Sequence, residues 1–388
     1  MSDGLSGKAA IVGIGATDFS KNSGRSELRL ASEAILDALQ DAGLTPADVD
    51  GMVTFTMDSN TEVAISRAIG VGELKFFSKI HHGGGAACAT VQQAALAVAT
   101  GIAECVVAYR AFNERSGVRF GQVQMRLVEN ADSTGVDNSF SFPHGLSTPA
   151  AQVAMIARRY MHQSGATSRD FGVISVADRK HAAKNPNAYF YQKPITIEDH
   201  QNSRWIAEPL RLLDCCQETD GGVALVITSV ERAKDLKHRP AVIKAAAQGS
   251  SPDQYSMTSY YRPELGLPEM GLVGRQLWAQ SGLKPTDIQT AILYDHFTPF
   301  TLIQLEELGF CDPGDAKDFI KDGAVEIGGR LPINTHGGQL GEAYIHGMNG
   351  IAEGVRQIRG TSVNQVPNVE HVLVTAGTGV PTSGLILA

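Results

Sequence analysis

Ala42-Gly43-Leu44-Thr45-Pro46-Ala47-Asp48-Val49-Asp50-Gly51-Met52-Val53 returns later in the chain as Ser281-Gly282-Leu283-Lys284-Pro285-Thr286-Asp287-Ile288-Gln289-Thr290-Ala291-Ile292. Both copies follow a segment with helical patterning, 28–39 and 270–279, and both lead into an apolar stretch that reads as a strand. Gly43 and Gly282 suit the left-handed position just past a helix C-terminus. Pro46 and Pro285 then open a short turn, with Asp48 and Asp287 where a carboxylate meets free backbone N–H groups. A match of this kind points to a duplicated α/β unit.

Working outward, the second copy lies so near the C-terminus that matching halves require about 100 inserted residues in the first. The candidate lies between the apolar strands 104–109 and 222–227. That segment is richer in Arg, His, Asn and Tyr, and holds a helix over 149–162 and a loop over 184–188. The expected organisation is an N-terminal half over 1–112 and 216–238, an inserted loop domain over 113–215, and a C-terminal half over 239–388. Elsewhere strands and helices alternate: strand 9–14, helix 26–42, strand 51–55, helix 88–100, strand 104–109. That βαβ pattern favours a buried, largely parallel sheet with helices on both faces.

The bulk properties exclude several functions. The 388 residues are 43% hydrophobic and 19% charged, ample for a core. A net charge of −8 and a pI near 5.8 argue against nucleic acid or an anionic membrane as partner. No basic N-terminal region precedes an apolar run, and no stretch nears the ~20 apolar residues of a membrane span. Five scattered cysteines without a Cys-x-x-Cys read as reduced thiols, so the expected compartment is the cytoplasm. The histidines lack metal-ligand spacing, so no metal site is expected.

Four stretches carry candidate chemistry. His81-His82-Gly83-Gly84-Gly85-Ala86-Ala87-Cys88-Ala89-Thr90 places a glycine run before an Ala-rich helix. Such a run lets backbone approach a ligand, or equally another backbone at an interface, and it lacks the Gly-Lys-Ser/Thr of a phosphate loop. The others are Tyr294-Asp295-His296-Phe297-Thr298-Pro299-Phe300, Gly337-Gly338-Gln339-Leu340-Gly341-Glu342-Ala343-Tyr344 with its continuation Ile345-His346-Gly347, and Val374-Thr375-Ala376-Gly377-Thr378-Gly379.

In order and spacing these four resemble the thiolase superfamily, nearest its sterol-carrier and lipid-transfer branch, over nearly the whole chain. The resemblance implies an α/β fold of duplicated βαβ halves in αβαβα layers. It also shows what is missing. Counting back from Gly101, the nucleophilic cysteine's place falls at Gly84 or one residue to either side, and Cys88 lies about one turn deeper, where a buried thiol is usually inert. Tyr294 stands for the His of the His-Asp-Cys-Phe sequence and His296 for its Cys. Tyr344 stands for the base of the Gly-His-Pro loop, and Ala376 for the second catalytic cysteine. Without a thiolate there is no acyl-enzyme.

Two positions that became tyrosine resemble the lipid-transfer-protein aldolases of actinobacterial steroid side-chain breakdown. The implied reaction is retro-aldol cleavage of a tertiary β-hydroxyacyl-CoA to a 17-keto steroid and propionyl-CoA. One tyrosine would act as base and the other as acid, the favoured order being Tyr344 as base and Tyr294 as acid with the reverse left open. Asp295 would support them, His296 would support them or relay a proton directly, and backbone N–H groups near Gly377 and Gly379 would hold the thioester oxyanion. No cofactor is implied, CoA being part of the substrate. The resemblance further implies a homodimer and a separate OB-fold acyl-CoA-associated partner. Two alternatives stand beside it: a non-catalytic acyl-CoA or sterol carrier in which the tyrosines only pack, and a true 3-ketoacyl-CoA thiolase using Cys88.

Overall fold

A computed structural model describes residues 4–81, 83–117, 119, 139, 141–250, 266, 268–377 and 382–388. The repeat organises it. In the first copy, helix α1 (Glu27–Ala42) starts at Ser26, whose hydroxyl accepts the Arg29 N–H, and ends at Gly43 with φ +75°. A turn follows in which Asp48 accepts the Thr45 N–H at 2.9 Å. In the second copy, helix α6 (Pro268–Ser281) ends at Gly282 with φ +73°, and Asp287 accepts the Lys284 N–H at 2.8 Å. The same residue types produce the same local geometry twice.

The strands are β1 (Ala9–Ala16), β2 (Gly51–Phe55), β3 (Phe76–Ile80), β4 (Cys105–Asn113), the small hairpin β5 (Trp205–Ala207) and β6 (Leu210–Arg211), β7 (Asp220–Ser229), β8 (Ala241–Gly249), β9 (Thr290–Ile292), β10 (Val372–Ala376) and β11 (Thr382–Leu387). Nine of them form one sheet in the order β3-β2-β4-β7-β1-β8-β11-β10-β9. Read outward from the β1–β8 junction, each half repeats the other: first strand, last strand, the strand before the last, second strand, with β3 added at the outer edge of the first half. The junction is antiparallel, Ala10 opposite Val242 and Ile11 opposite Ala241, as a twofold relation between halves requires. The copies of the repeat therefore hold equivalent places, each joining the helix after the first strand to the second strand.

The sheet is mixed, which corrects the expectation of a largely parallel one. β2 runs parallel to β3 and β4, and β9 to β10, but the remaining junctions are antiparallel. A parallel neighbour needs a crossover of a dozen residues or more, whereas β11 begins only residues 377–381 after β10 and must run back beside it. β7 likewise returns antiparallel to β4.

Burial follows the layers. One core cluster lies between the half-sheets, where α3 (Ala87–Ala99) and α9 (Met348–Arg359) meet residues of both, such as Ile11, Val53, Val374 and Leu387. A second covers the outer face of the first half beneath α1. A third covers the outer face of the second half beneath α6 and α7 (Thr298–Glu307), and takes in α4 (Pro149–Ser164) and α5 (Ser168–Lys184) from the segment between β4 and β7. This is the αβαβα order. No helix among the described residues is long and apolar enough to cross a membrane.

Candidate active site at the tyrosine pair

Residues 293–297 leave the end of β9 and turn into α7, and their backbone is tied down on three sides. Leu293 N–H donates to Asn334 Oδ1 at 2.8 Å and Tyr294 N–H to Thr375 Oγ1 at 3.0 Å, while Gln304 Nε2 donates to the Tyr294 carbonyl at 2.9 Å. The Thr375 hydroxyl donates in turn to Gln304 Oε1 at 2.6 Å. Tyr294 is thereby fixed, and its ring is only 2% exposed.

Tyr344 comes from the bend between α8 (Gly338–Gly341) and α9. Its N–H donates to Thr219 Oγ1 at 2.9 Å, and that hydroxyl donates back to the Tyr344 carbonyl. The two phenol oxygens stand 3.1 Å apart in a hydrogen bond, with ring centroids separated by 6.4 Å. Gly84, in the turn before α3, completes the group. A methyl group added there would lie 1.6 Å from Tyr294 Oη. The Tyr294 hydroxyl therefore occupies the space into which a side chain at position 84 would project.

Burial pushes both phenols well above their usual range. Their mutual hydrogen bond acts unequally, easing ionisation of Tyr294 and opposing that of Tyr344. At neutral pH the pair is un-ionised. His296 lies beside it, its ring 4.8 Å from that of Tyr294 and stacked on Phe300 at 4.9 Å. Burial lowers its pKa to about 3, so it is a neutral imidazole.

Asp295 faces away from the phenols. It accepts the N–H groups of Gln339 at 2.8 Å and Leu340 at 3.1 Å, fixing the start of α8 and hence the approach to Tyr344. It also meets Asp178 of α5. Burial and the neighbouring carboxylate raise Asp178 well above the usual range, so the pair holds a proton on Asp178. Gly377, with φ +72°, follows Ala376 at the end of β10, two residues past Thr375. Gly379 lies outside the described residues. Cys88 is fully buried in α3, its thiol donates to the Val374 carbonyl at 3.7 Å, and burial pushes it far from ionisation.

Several neighbours were not anticipated. Glu114, just past β4, is 3% exposed; it accepts the Thr219 N–H, and its Oε2 has no hydrogen-bond partner among the described residues. Burial raises its pKa well above the usual carboxyl range. Lys21 donates to the Glu218 carbonyl at 2.7 Å, and burial lowers it to about 8. Arg110, His346 and Asp58 form a buried chain behind Tyr344. For these the sequence carried one signal: an arginine directly after the apolar run 104–109, where a charge inside a strand demands a buried partner. Among the described residues no group of three or more His, Cys, Asp or Glu side chains is arranged to hold a metal ion.

A family model described as thiolase C-terminal domain-like matches residues 250–387. The chain is 85% identical over 384 residues, 99% of this chain and 100% of the other, to the 17-hydroxy-3-oxo-4-pregnene-20-carboxyl-CoA lyase of Mycobacterium tuberculosis. It is 70% identical over 386 residues, 99% of this chain and 98% of the other, to a steroid side-chain-cleaving aldolase of Thermomonospora curvata. Among solved structures, an Ltp2-ChsH2(DUF35) aldolase superposes with a TM-score of 0.95 at 69% identity, covering 99% of this chain and 98% of that one.

Proposed function

The chain belongs to the family of steroid side-chain-cleaving aldolases, and from that membership we propose that it catalyses retro-aldol cleavage of a steroid β-hydroxyacyl-CoA by tyrosine acid–base chemistry. It is a carbon–carbon lyase acting on a steroid acyl-CoA. The substrate in this reading has a tertiary 17-hydroxyl, and the products are a 17-keto steroid and propionyl-CoA.

The observation that carries the mechanism is the Tyr294 hydroxyl, seated where a side chain at Gly84 would be and 3.1 Å from Tyr344 Oη. Neutral phenols are poor bases singly, but a hydrogen-bonded pair can accept and donate at once. Tyr344 takes the β-hydroxyl proton as it passes its own to Tyr294, and Tyr294 delivers its proton to Cα. The oxygen–carbon pair closes to the ketone, and the Cα–Cβ pair moves into the thioester as an enolate that Tyr294 quenches. Protons balance, and neither phenol needs to be an anion beforehand. Tyr294 is given the Cα because its oxygen fills the nucleophile's former place, where the acyl carbons of a thiolase substrate would pass. His296 packs the Tyr294 ring, Asp295 fixes α8, and backbone N–H groups at Gly377 and Gly379 remain candidates for the oxyanion. No cofactor enters beyond the CoA of the substrate.

A thiolase reaction at Cys88 is disfavoured by its full burial. In assembly, the chain works beside a second component of the DUF35 kind named with its structural relative, which we take to be an OB-fold acyl-CoA-associated protein. A homodimer is supported by the edge strand β3, whose Phe77 is 60% exposed, with Val63 of the adjoining helix α2 (Glu62–Ile69) 56% exposed. The five free cysteines fit a cytoplasmic site of action.

The test is incubation with the steroid β-hydroxyacyl-CoA, with and without the DUF35-type component, followed by assay of propionyl-CoA. Tyr294→Phe and Tyr344→Phe keep the rings and each should reduce turnover by about 10²–10⁴-fold. Normal cleavage by both variants would show the phenols to be packing residues. Substrate binding without product formation by the wild type would point to a carrier.

A further inference from the structure

Two residues beyond Tyr344, His346 is 2% exposed and has a φ of +50°, a conformation side-chain-bearing residues rarely adopt unless their surroundings enforce it. The surroundings here are specific. Arg110 Nε donates to His346 Nδ1 at 3.1 Å. A guanidinium has no acceptor, so Nδ1 carries the lone pair and Nε2 carries the hydrogen. Arg110 Nη1 donates in turn to Asp58 Oδ2 at 3.0 Å, and Asp58 also accepts the N–H groups of Ala111 at 3.2 Å and Asn60 at 2.9 Å. Phe112 stacks on the imidazole at 4.9 Å, and Phe55 lies against it at 5.9 Å. The ring is neutral, of one tautomer, and held on both sides.

The Nε2 edge is directed at the glycine turn. A methyl group at Gly83 would lie 3.2 Å from His346 Nε2 and 3.2 Å from Met57 Sδ, and Met57 is 37% exposed, so this corner adjoins the surface. Gly83 precedes Gly84, whose side-chain space is filled by the Tyr294 hydroxyl. The Tyr344 ring meets the imidazole edge-on at 5.2 Å. One N–H thus faces the same turn as both phenols, with a buried carboxylate and guanidinium fixing its direction.

We infer that His346 Nε2–H donates a hydrogen bond to the thioester oxygen of the acyl-CoA and holds the enolate oxyanion as the carbon–carbon bond breaks, with Arg110 and Asp58 as positioning residues. This rests on the aldolase reading above. A neutral, preset donor suits the task, because it stabilises charge that develops at one oxygen without reorganising. Arg110 and Asp58 act only through the imidazole.

Two assays separate this role from a structural one. The first is steroid cleavage by the chain with its DUF35-type component. The second is deuterium uptake at Cα of propionyl-CoA in D2O, which needs the enolate but no steroid. His346→Phe keeps a flat ring and removes the donor; both rates should fall by about 10²–10³-fold, in kcat rather than KM, in a chain that still unfolds cooperatively although at a lower temperature, because the buried Arg110 Nε–H loses its acceptor. His346→Gln, which keeps an N–H, should recover part of both. Should the phenylalanine variant not fold, His346→Ala decides, since its lost rate should return on adding imidazole. A folded His346→Phe that cleaves and exchanges normally overturns the inference, as does a loss confined to KM, or an alanine variant that imidazole does not rescue. Wild-type protein that exchanges the α-protons but never cleaves the steroid ester would sink the aldolase reading alone.

Discussion

At Gly84 the missing side chain matters because of what fills its place. The Tyr294 hydroxyl would sit 1.6 Å from an added methyl group and Cζ 2.3 Å from it, so an alanine can be accommodated only by moving the phenol. The phenol has little freedom to move, because its backbone is bonded to Thr375 and Gln304. A displacement of about 1 Å at a reacting group costs on the order of 10²-fold in rate. Gly84→Ala should therefore lower kcat by at least that factor while leaving the fold intact. Combined with Tyr294→Phe it should add little, since both changes remove the same positioned hydroxyl. Turnover of the two single variants and the double variant checks this. Losses that multiply, or a fully active Gly84→Ala, would mean that the two residues act separately. The positions of Gly84, Tyr294 and Tyr344 were legible in the sequence because each falls in a stretch whose order resembles a known scaffold. The charge state of His296 was not, since a depressed pKa depends on Phe300 and Tyr294 closing around the ring, and ring packing leaves no local pattern in the chain.

Among elements, the repeat makes a quantitative claim. Gly43 and Gly282 end α1 and α6 with φ of +75° and +73°, and an added methyl meets nothing nearer than Lys237 Cβ at 3.6 Å in the first and nothing within 4 Å in the second. With no steric clash, the cost of an alanine is the left-handed backbone alone, about 1–2 kcal/mol. Gly43→Ala and Gly282→Ala should destabilise by equal amounts within that range, measured by urea unfolding with an unchanged m-value. A neutral substitution at either site, or a clear difference between them, would show that the helix ends are not equivalent. Helix ends were readable because a glycine, a proline and an aspartate at fixed offsets determine them locally. Strand direction was not. Whether β7 and β11 run with or against their neighbours is decided by where long connections return, and no window of sequence records that.

For the whole molecule, the segment between β4 and β7 is bolted to the C-terminal half through buried polar groups carried by α5. His181 Nδ1 contacts the Asn334 carbonyl at 3.3 Å, Asn364 Nδ2 donates to the His181 carbonyl at 3.0 Å, and Asn185 Nδ2 donates to the His336 carbonyl at 3.0 Å and to Glu342 at 3.0 Å. Asp178 and Asp295 meet on the same face. Nothing in the sequence of this segment announced which half it would join, because these hydrogen bonds span 151 to 183 positions along the chain. Burial lowers His181 to about 4, against 6.5 when unfolded, so folding keeps it neutral. Its contribution is complete above pH 6.5 and is lost as pH falls toward 4, where the unfolded chain binds the extra proton. The raised carboxyls of Asp178, Asp295 and Glu114 act in the opposite sense, each keeping its proton to higher pH in the folded chain than in the unfolded one, so the overall pH profile mixes both signs. The His181 part is isolated by comparison with His181→Leu. Above pH 6.5 the variant should be less stable by a constant margin, having lost the Asn334 contact. Between pH 6.5 and 4 that margin should narrow by up to about 1.4 kcal/mol per pH unit, because the variant has no imidazole to protonate on unfolding. Urea midpoints collected across this range for both proteins give the margin directly. A margin that stays constant down to pH 4 would mean that His181 titrates alike in the folded and unfolded chain, and that the segment is held to the C-terminal half by its other ties.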